Sequence, residues 1–234
     1  MVKSSKQSLK IYFLSLFSSV IGISGLMLAI IATVVFLFLS KQVLGQKTIE
    51  FDTHILQYFL SIQNSSLTLF FVTLAFIGKP TFLVIVDVLF SLFLWTKNKI
   101  SMAIVYFIIG NGAAGFNLFL KSFLGRERPA LWDRIVEVKH LSYPSAHAMN
   151  SVVVYGLICY YLMNQFKPWR WLIFACTFLL VILIGLSRLY LGVHWPTDII
   201  AGYIMGFVWL SIAIILVEFV KSSTNNQVDK KSTN

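Results

Sequence analysis

The chain has 234 residues, 58% hydrophobic and only 12% charged, with 19 Lys and Arg against 9 Asp and Glu. That much apolar content excludes a soluble domain of this size and points to a polytopic membrane protein. A formal net charge of +10 would suggest a nucleic-acid partner in a soluble chain. Here the basic residues fall mostly in loops and ends, so a positive-inside bias and an anionic ligand account for them, and no nucleic acid is expected.

Lys3, Lys6 and Lys10 precede an uncharged run over residues 11–40. It is about twice the length of a signal-peptide core and has no obvious small-residue cleavage site, so it is read as an uncleaved first span. Residues 41–66 are mixed, with Glu50, Asp52 and His54 ahead of Ile55, Leu56, Tyr58 and Phe59, the pattern of an interfacial amphipathic helix. The second span falls within 67–96 and is interrupted by Gly78-Lys79-Pro80, either a kink or a fresh helix start with Pro80 at its first position. Asp87 lies inside it, and an ionisable group within a span is a functional hypothesis by default. The plainer reading is a polar contact with Asn111 or Asn117.

The third span, 100–120, holds Gly110, Gly112 and Gly115. They mimic a dinucleotide-binding pattern but have no preceding strand, and small residues in an apolar helix serve close helix approach instead. A long polar connection follows, then a fourth span over 145–163, a basic turn with Lys167 and Arg170, a fifth span over 171–186 and a sixth over 196–217. Cys159 and Cys176 fall in apolar runs with neither disulfide nor metal-ligand spacing, and are read as packing residues. The expected architecture is all-α: one six-helix transmembrane domain over 1–220 and a polar, disordered tail over 221–234.

With six spans, the connection after the third, the start of the fourth and the connection after the fifth share one side of the membrane. Three polar clusters therefore meet. Setting aside Lys121, Arg128 and Arg188 as ligand-binding candidates, the basic residues divide ten to six in favour of both termini being cytoplasmic, which turns the clusters outward.

The first cluster is Lys121, six residues, then Arg128-Pro129. The second is Pro144-Ser145-Ala146-His147, and the third runs from Ser187 to Asp198 with Arg188 and His194. Two guanidinium forks and an ammonium suit a phosphate, and at mid-bilayer each would cost about 2.5 to 3.5 kcal/mol, so they belong at the interface where lipid phosphates lie. Ser145 stands where a helix begins and can cap it or help its free amides hold an anion. His194 and Asp198 are four apart, close enough on a helical turn for the acid to orient the ring, and Pro196 with Asp198 also reads as an ordinary helix start. Arg126, Arg134 and Lys139 lie outside these patterns and are read as solvated; His54 and His140 are read as surface residues.

In this order the clusters closely resemble the signature of the type 2 phosphatidic acid phosphatase superfamily, membrane lipid phosphate phosphatases related to the vanadium haloperoxidases. The likeness covers Lys121 to Asp198; the N-terminal third matches only in layout. It implies a phosphohistidine at His194, orientation by Asp198, proton transfer by His147, and phosphate binding by Lys121, Arg128, Ser145, Ala146 and Arg188, with no metal or other cofactor. Ala146 stands where the family usually has glycine. The implied substrate is a lipid phosphate drawn from the bilayer. Rival readings are a lipid-phosphate binder without activity, a haloperoxidase-like enzyme, against which the apolar spans speak, and a transporter built on Asp87 and Lys79, which lacks discontinuous helices in matching halves.

Overall fold

The structure, a computed structural model, describes residues 20–132, 135, 136, 138 and 141–232, with side chains placed between residues 23 and 221. Among the described residues all regular secondary structure is helical: α1 Val20–Leu44, α2 Ile49–Ser61, α3 Ser65–Ile77, α4 Pro80–Thr96, α5 Ile100–Leu124, α6 Ala146–Gln165, α7 Arg170–Tyr190 and α8 Pro196–Ser232, with a 3-10 turn at Lys167–Trp169. Residues 1–10 of the expected basic terminus, and Asp133, Arg134, Glu137, Lys139 and His140, lie outside the described residues.

Five helices are long and apolar enough to span a membrane, and α3 with α4 makes a sixth candidate bent by 50°. Its contacts run from one end of the helix bundle to the other. At the start of α3, Gln63 Nε2 donates to the Tyr190 carbonyl at 2.8 Å and Thr68 shares a 2.9 Å bond with the Tyr190 hydroxyl, at the last residue of α7. At its far end, Lys99 reaches Tyr161 near the end of α6. The break lies between. Pro80 opens α4 at the first helical position, and the Tyr155 hydroxyl, halfway along α6, donates to the Ile77 carbonyl at 2.8 Å, satisfying a backbone group that hydrocarbon could not. Asp87, buried on α4, accepts a 2.7 Å bond from Asn111 Nδ2, the first of its two expected polar partners.

The helix α6 is central and touches α4, α5, α7 and α8. Its approach to α8 is close because Gly202 and Gly206 lack side chains: a Cβ there would come within 2.7 Å of the Ser145 carbonyl and 2.8 Å of the Met149 carbonyl. Tyr106, Met149, Val153, Leu157, Ala213 and Val217 fill the core among α1, α5, α6 and α8. Large apolar residues remain outside, such as Met27, Val34 and Phe38 on α1, as expected of helices bathed in lipid. Cys176 joins this outer surface rather than the packing expected of it, whereas Cys159 is buried. The last helix continues through Ser232, across the stretch whose composition suggests disorder. One face gathers the ends of α1, α5 and α7 with the starts of α3, α6 and α8, and α2 lies along it.

Candidate active site

The helix α8 starts with Pro196, and the Asp198 carboxylate reaches back to accept the Trp195 backbone N–H at 2.9 Å, half of a capping box. The same oxygen, Oδ2, lies 3.1 Å from His194 Nδ1 and accepts from the Ser142 hydroxyl. Helix capping and ring orientation are thus performed by one carboxylate. With Nδ1–H directed to Asp198, the free lone pair of the imidazole is on Nε2, which faces the Arg128 guanidinium at 3.1 Å. Asp198 is fully buried and His194 is 2% exposed.

Burial foremost, then the cations Arg128, Lys121, Arg188 and Arg126, hold the His194 imidazole well below the usual 6.5. Neutral histidine is the form that can attack.

The other expected residues surround this dyad. Arg128 is steadied by the Val193 carbonyl at 2.6 Å. Lys121, in the last turn of α5, donates to the carbonyls of Leu141 and Ser142. Arg188, in the last turn of α7, is 4% exposed, and its Nε has no hydrogen-bond partner, an unmet donor of the kind an anionic ligand can satisfy. Ser145 caps α6, accepting from the Ala148 amide at 3.5 Å, while its own amide donates to the Asp198 carbonyl at 3.0 Å. That amide ties the second cluster to the third. Ala146 and His147 occupy the first turn of α6, partly open to the exterior.

Arg126, read as solvated, and Asp52, read only as part of an interfacial helix, join the network around Asp198. Arg126 is not solvated. Its Nη1 donates to Asp198 Oδ1 at 2.9 Å and to Thr197 Oγ1 at 2.7 Å, its Nη2 donates to Asp52 Oδ2 at 2.7 Å, and it lies over the Trp195 ring at 5.0 Å. Asp52, the fully buried acid on α2, also accepts from the Thr197 amide at 3.0 Å and hydroxyl at 2.7 Å. Ser142 and Tyr143 carry no motif signal in the sequence, yet both are part of the site. The Tyr143 hydroxyl shares a 2.9 Å bond with Ser40, and burial above all pushes its phenol up to about 12, so it stays a neutral hydrogen-bonding group. His54 is exposed, as expected.

Beside Arg128 a cavity of about 620 Å³ opens between the α1–α2 corner and the end of α5, lined by Leu44, Ile49, Leu124, Arg126, Leu131 and Trp195 among others. Apolar walls with guanidinium groups at one edge can hold an amphiphile by chain and headgroup together. Among the described residues no group of three or more His, Cys, Asp or Glu is placed to hold a metal ion.

The family model for the PAP2 superfamily matches residues 99–221, more than half of the chain. Phosphatidylglycerophosphatase B of Bacillus subtilis is 33% identical over 93 residues, 38% of this chain, and the chain spans 45% of that relative's length. Lipid A 4'-phosphatase of Bacteroides thetaiotaomicron is 30% identical over 171 residues, covering 67% of this chain and 72% of that protein. Among solved structures, the transmembrane PAP2 type phosphatidylglycerolphosphate phosphatase from Bacillus subtilis superposes with a TM-score of 0.74 at 23% identity, over 79% of this chain and 93% of the other, a likeness of fold. With three ordered clusters converging on one buried imidazole and a family match that covers them, the chain belongs to the PAP2 superfamily.

Proposed function

We propose that this protein is an integral membrane lipid phosphatase that cleaves a phosphate monoester or pyrophosphate through a phosphohistidine intermediate. The observation that carries the reading is the two-sided fixing of His194: Nδ1 is 3.1 Å from Asp198, and Nε2 is 3.1 Å from the Arg128 fork. A phosphate that takes over the N–H donors of Arg128 therefore lies beside Nε2 and releases its lone pair for attack. The Nε2–P bond forms as the bond from phosphorus to the leaving oxygen breaks. His147 supplies the proton to that oxygen, then takes one from the water that cleaves the phosphohistidine. Phosphoryl transfer asks mainly for positioning and charge neutralisation. Lys121, Arg128 and Arg188 provide the charge, with Ser145 and the amides of Ala146 and its neighbours at the start of α6, so no metal enters the proposed route.

Substrates that fit an apolar cavity beside guanidinium groups are phosphatidylglycerophosphate, phosphatidic acid and undecaprenyl pyrophosphate. The excess of basic residues on the opposite face supports cytoplasmic termini and an outward site. The test is phosphate release from these three lipids in detergent, with and without a chelator, for the wild type and His194→Ala. Release by the wild type, insensitive to the chelator and lost in the variant, is expected. No release by the wild type overturns the reading in favour of a lipid-phosphate binder, full activity in the variant overturns the phosphohistidine at His194, and loss on chelation removes the metal-free route.

A further inference from the structure

We infer that Asp52, on the interfacial helix α2, is a positioning residue of the reaction: through Arg126 it sets the net charge of the carboxylate that orients His194. This rests on the phosphohistidine reading above. It concerns a residue outside the family match at 99–221 and outside all three motif clusters.

One guanidinium is shared by two buried acids. Arg126 gives Nη2 to Asp52 and Nη1 to Asp198, both fully buried. By formal charge, two carboxylates and one guanidinium, the trio carries one net negative charge. Were Asp52 absent, the cation would be matched one-to-one with Asp198 and that charge would vanish. The nucleophile needs it, because His194 gains positive charge as Nε2 bonds to phosphorus, and Arg128, in contact with Nε2, together with the charges of Lys121, Arg188 and Arg126, already opposes positive charge on the ring. Asp198 is the acid in contact with the ring, and His147 is the other titratable group facing it. Asp52 thus prevents Arg126 from cancelling the dyad's acid.

The same contacts fix position. Asp52 Oδ1 accepts the Thr197 amide and Oδ2 accepts the Thr197 and Thr48 hydroxyls. The first turn of α8, which carries Asp198, is therefore pinned to α2. A neutral amide at position 52 keeps most of this shape and changes the charge, which separates the two effects.

The experiment compares the wild type, Asp52→Asn and the double variant Asp52→Asn/Arg126→Gln, which again carries one net negative charge. For Asp52→Asn, kcat is expected to fall about 10- to 100-fold with KM within about threefold. Because His194 must be neutral to attack, the acid limb of kcat/KM moves to lower pH, by about half a unit or more, when a nearby negative charge is removed. The double variant is expected to regain about fivefold or more over Asp52→Asn and to bring the limb back. A purely structural role predicts the reverse, since the double variant loses further bonds. Calorimetric binding of orthovanadate to the same three proteins gives a readout free of turnover, with affinity falling in Asp52→Asn and recovering in the double variant. Unchanged kcat in Asp52→Asn, or a double variant no better than the single in both rate and vanadate affinity, overturns the inference. A wild type that binds vanadate but releases phosphate from no lipid sinks the phosphatase reading instead, while the vanadate comparison still decides the role of Asp52.

Discussion

His194 is buried as a neutral base, and this has a thermodynamic sign. Its folded-state pKa lies well below the 6.5 of a free imidazole, so between those two values the unfolded chain binds more protons than the folded one and stability falls as pH falls. The melting temperature in detergent is therefore expected to drop from pH 7 to pH 5, and His194→Asn to flatten that drop, with about 1.4 kcal/mol at stake for each pH unit separating the two values. An equally steep drop in the variant would show that the slope arises elsewhere. Arg126 supports a second prediction, because a planar fork can serve two carboxylates at once and a lysine ammonium cannot. Arg126→Lys should cost about 2 kcal/mol and Arg126→Ala about 3 to 5, the latter leaving two buried acids without their cation. Thermal or denaturant unfolding checks the order. Nothing local in the sequence points to this network: Asp52 meets Arg126 across 74 positions, and an arginine two residues before a motif arginine reads as solvated until the fold buries it. His194 and Asp198, four apart, were legible because one helical turn suffices to join them.

At the level of helices, the apolar runs located the spans, yet three site-side ends fall short. Uncharged stretches ending at residues 40, 120 and 186 become helices ending at Leu44, Leu124 and Tyr190. Charge is a poor stop signal where the charge has work inside the last turn: Lys121 is tied to loop carbonyls and Arg188 is buried beside the dyad. The α6–α8 contact was not legible, since the sequence drew attention to glycines on α5, of which Gly110 does pack closely against Asp87 of α4, while the approach of α6 to α8 rests on Gly202 and Gly206. A Cβ at Gly202 would meet the Ser145 carbonyl at 2.7 Å and the Ala148 Cβ at 2.9 Å, whereas one at Gly115 meets nothing within 4 Å. Gly202→Ala should therefore push α6 from α8, destabilise by about 1 to 3 kcal/mol and lower phosphate release, because His147 and Asp198 stand on the two helices being separated. Gly115→Ala should leave both properties near the wild type. Equal behaviour of the two variants would mean that this contact does not set the site.

Across the whole molecule, alternation of spans brings residues from both halves of the chain to one face, and it could be counted from the sequence because each added span reverses sides. The count depended on reading 67–96 as a single crossing, which the broken pair α3–α4 satisfies by joining Tyr190 at one face to Tyr161 at the other. Lys47, in the α1–α2 turn, and Thr96, at the end of α4, are both exposed and lie on opposite faces. With Cys159 and Cys176 replaced by alanine, Lys47→Cys and Thr96→Cys provide single thiols that report the two sides. The outward-site reading predicts that an impermeant maleimide applied to intact cells labels position 47 and reaches position 96 only after the membrane is opened. Labelling of 96 alone would turn the site toward the cytoplasm while preserving the six-span count. Labelling of both in intact cells would place the broken pair on one side as a re-entrant hairpin, and the remaining five spans would then put the two termini on opposite faces.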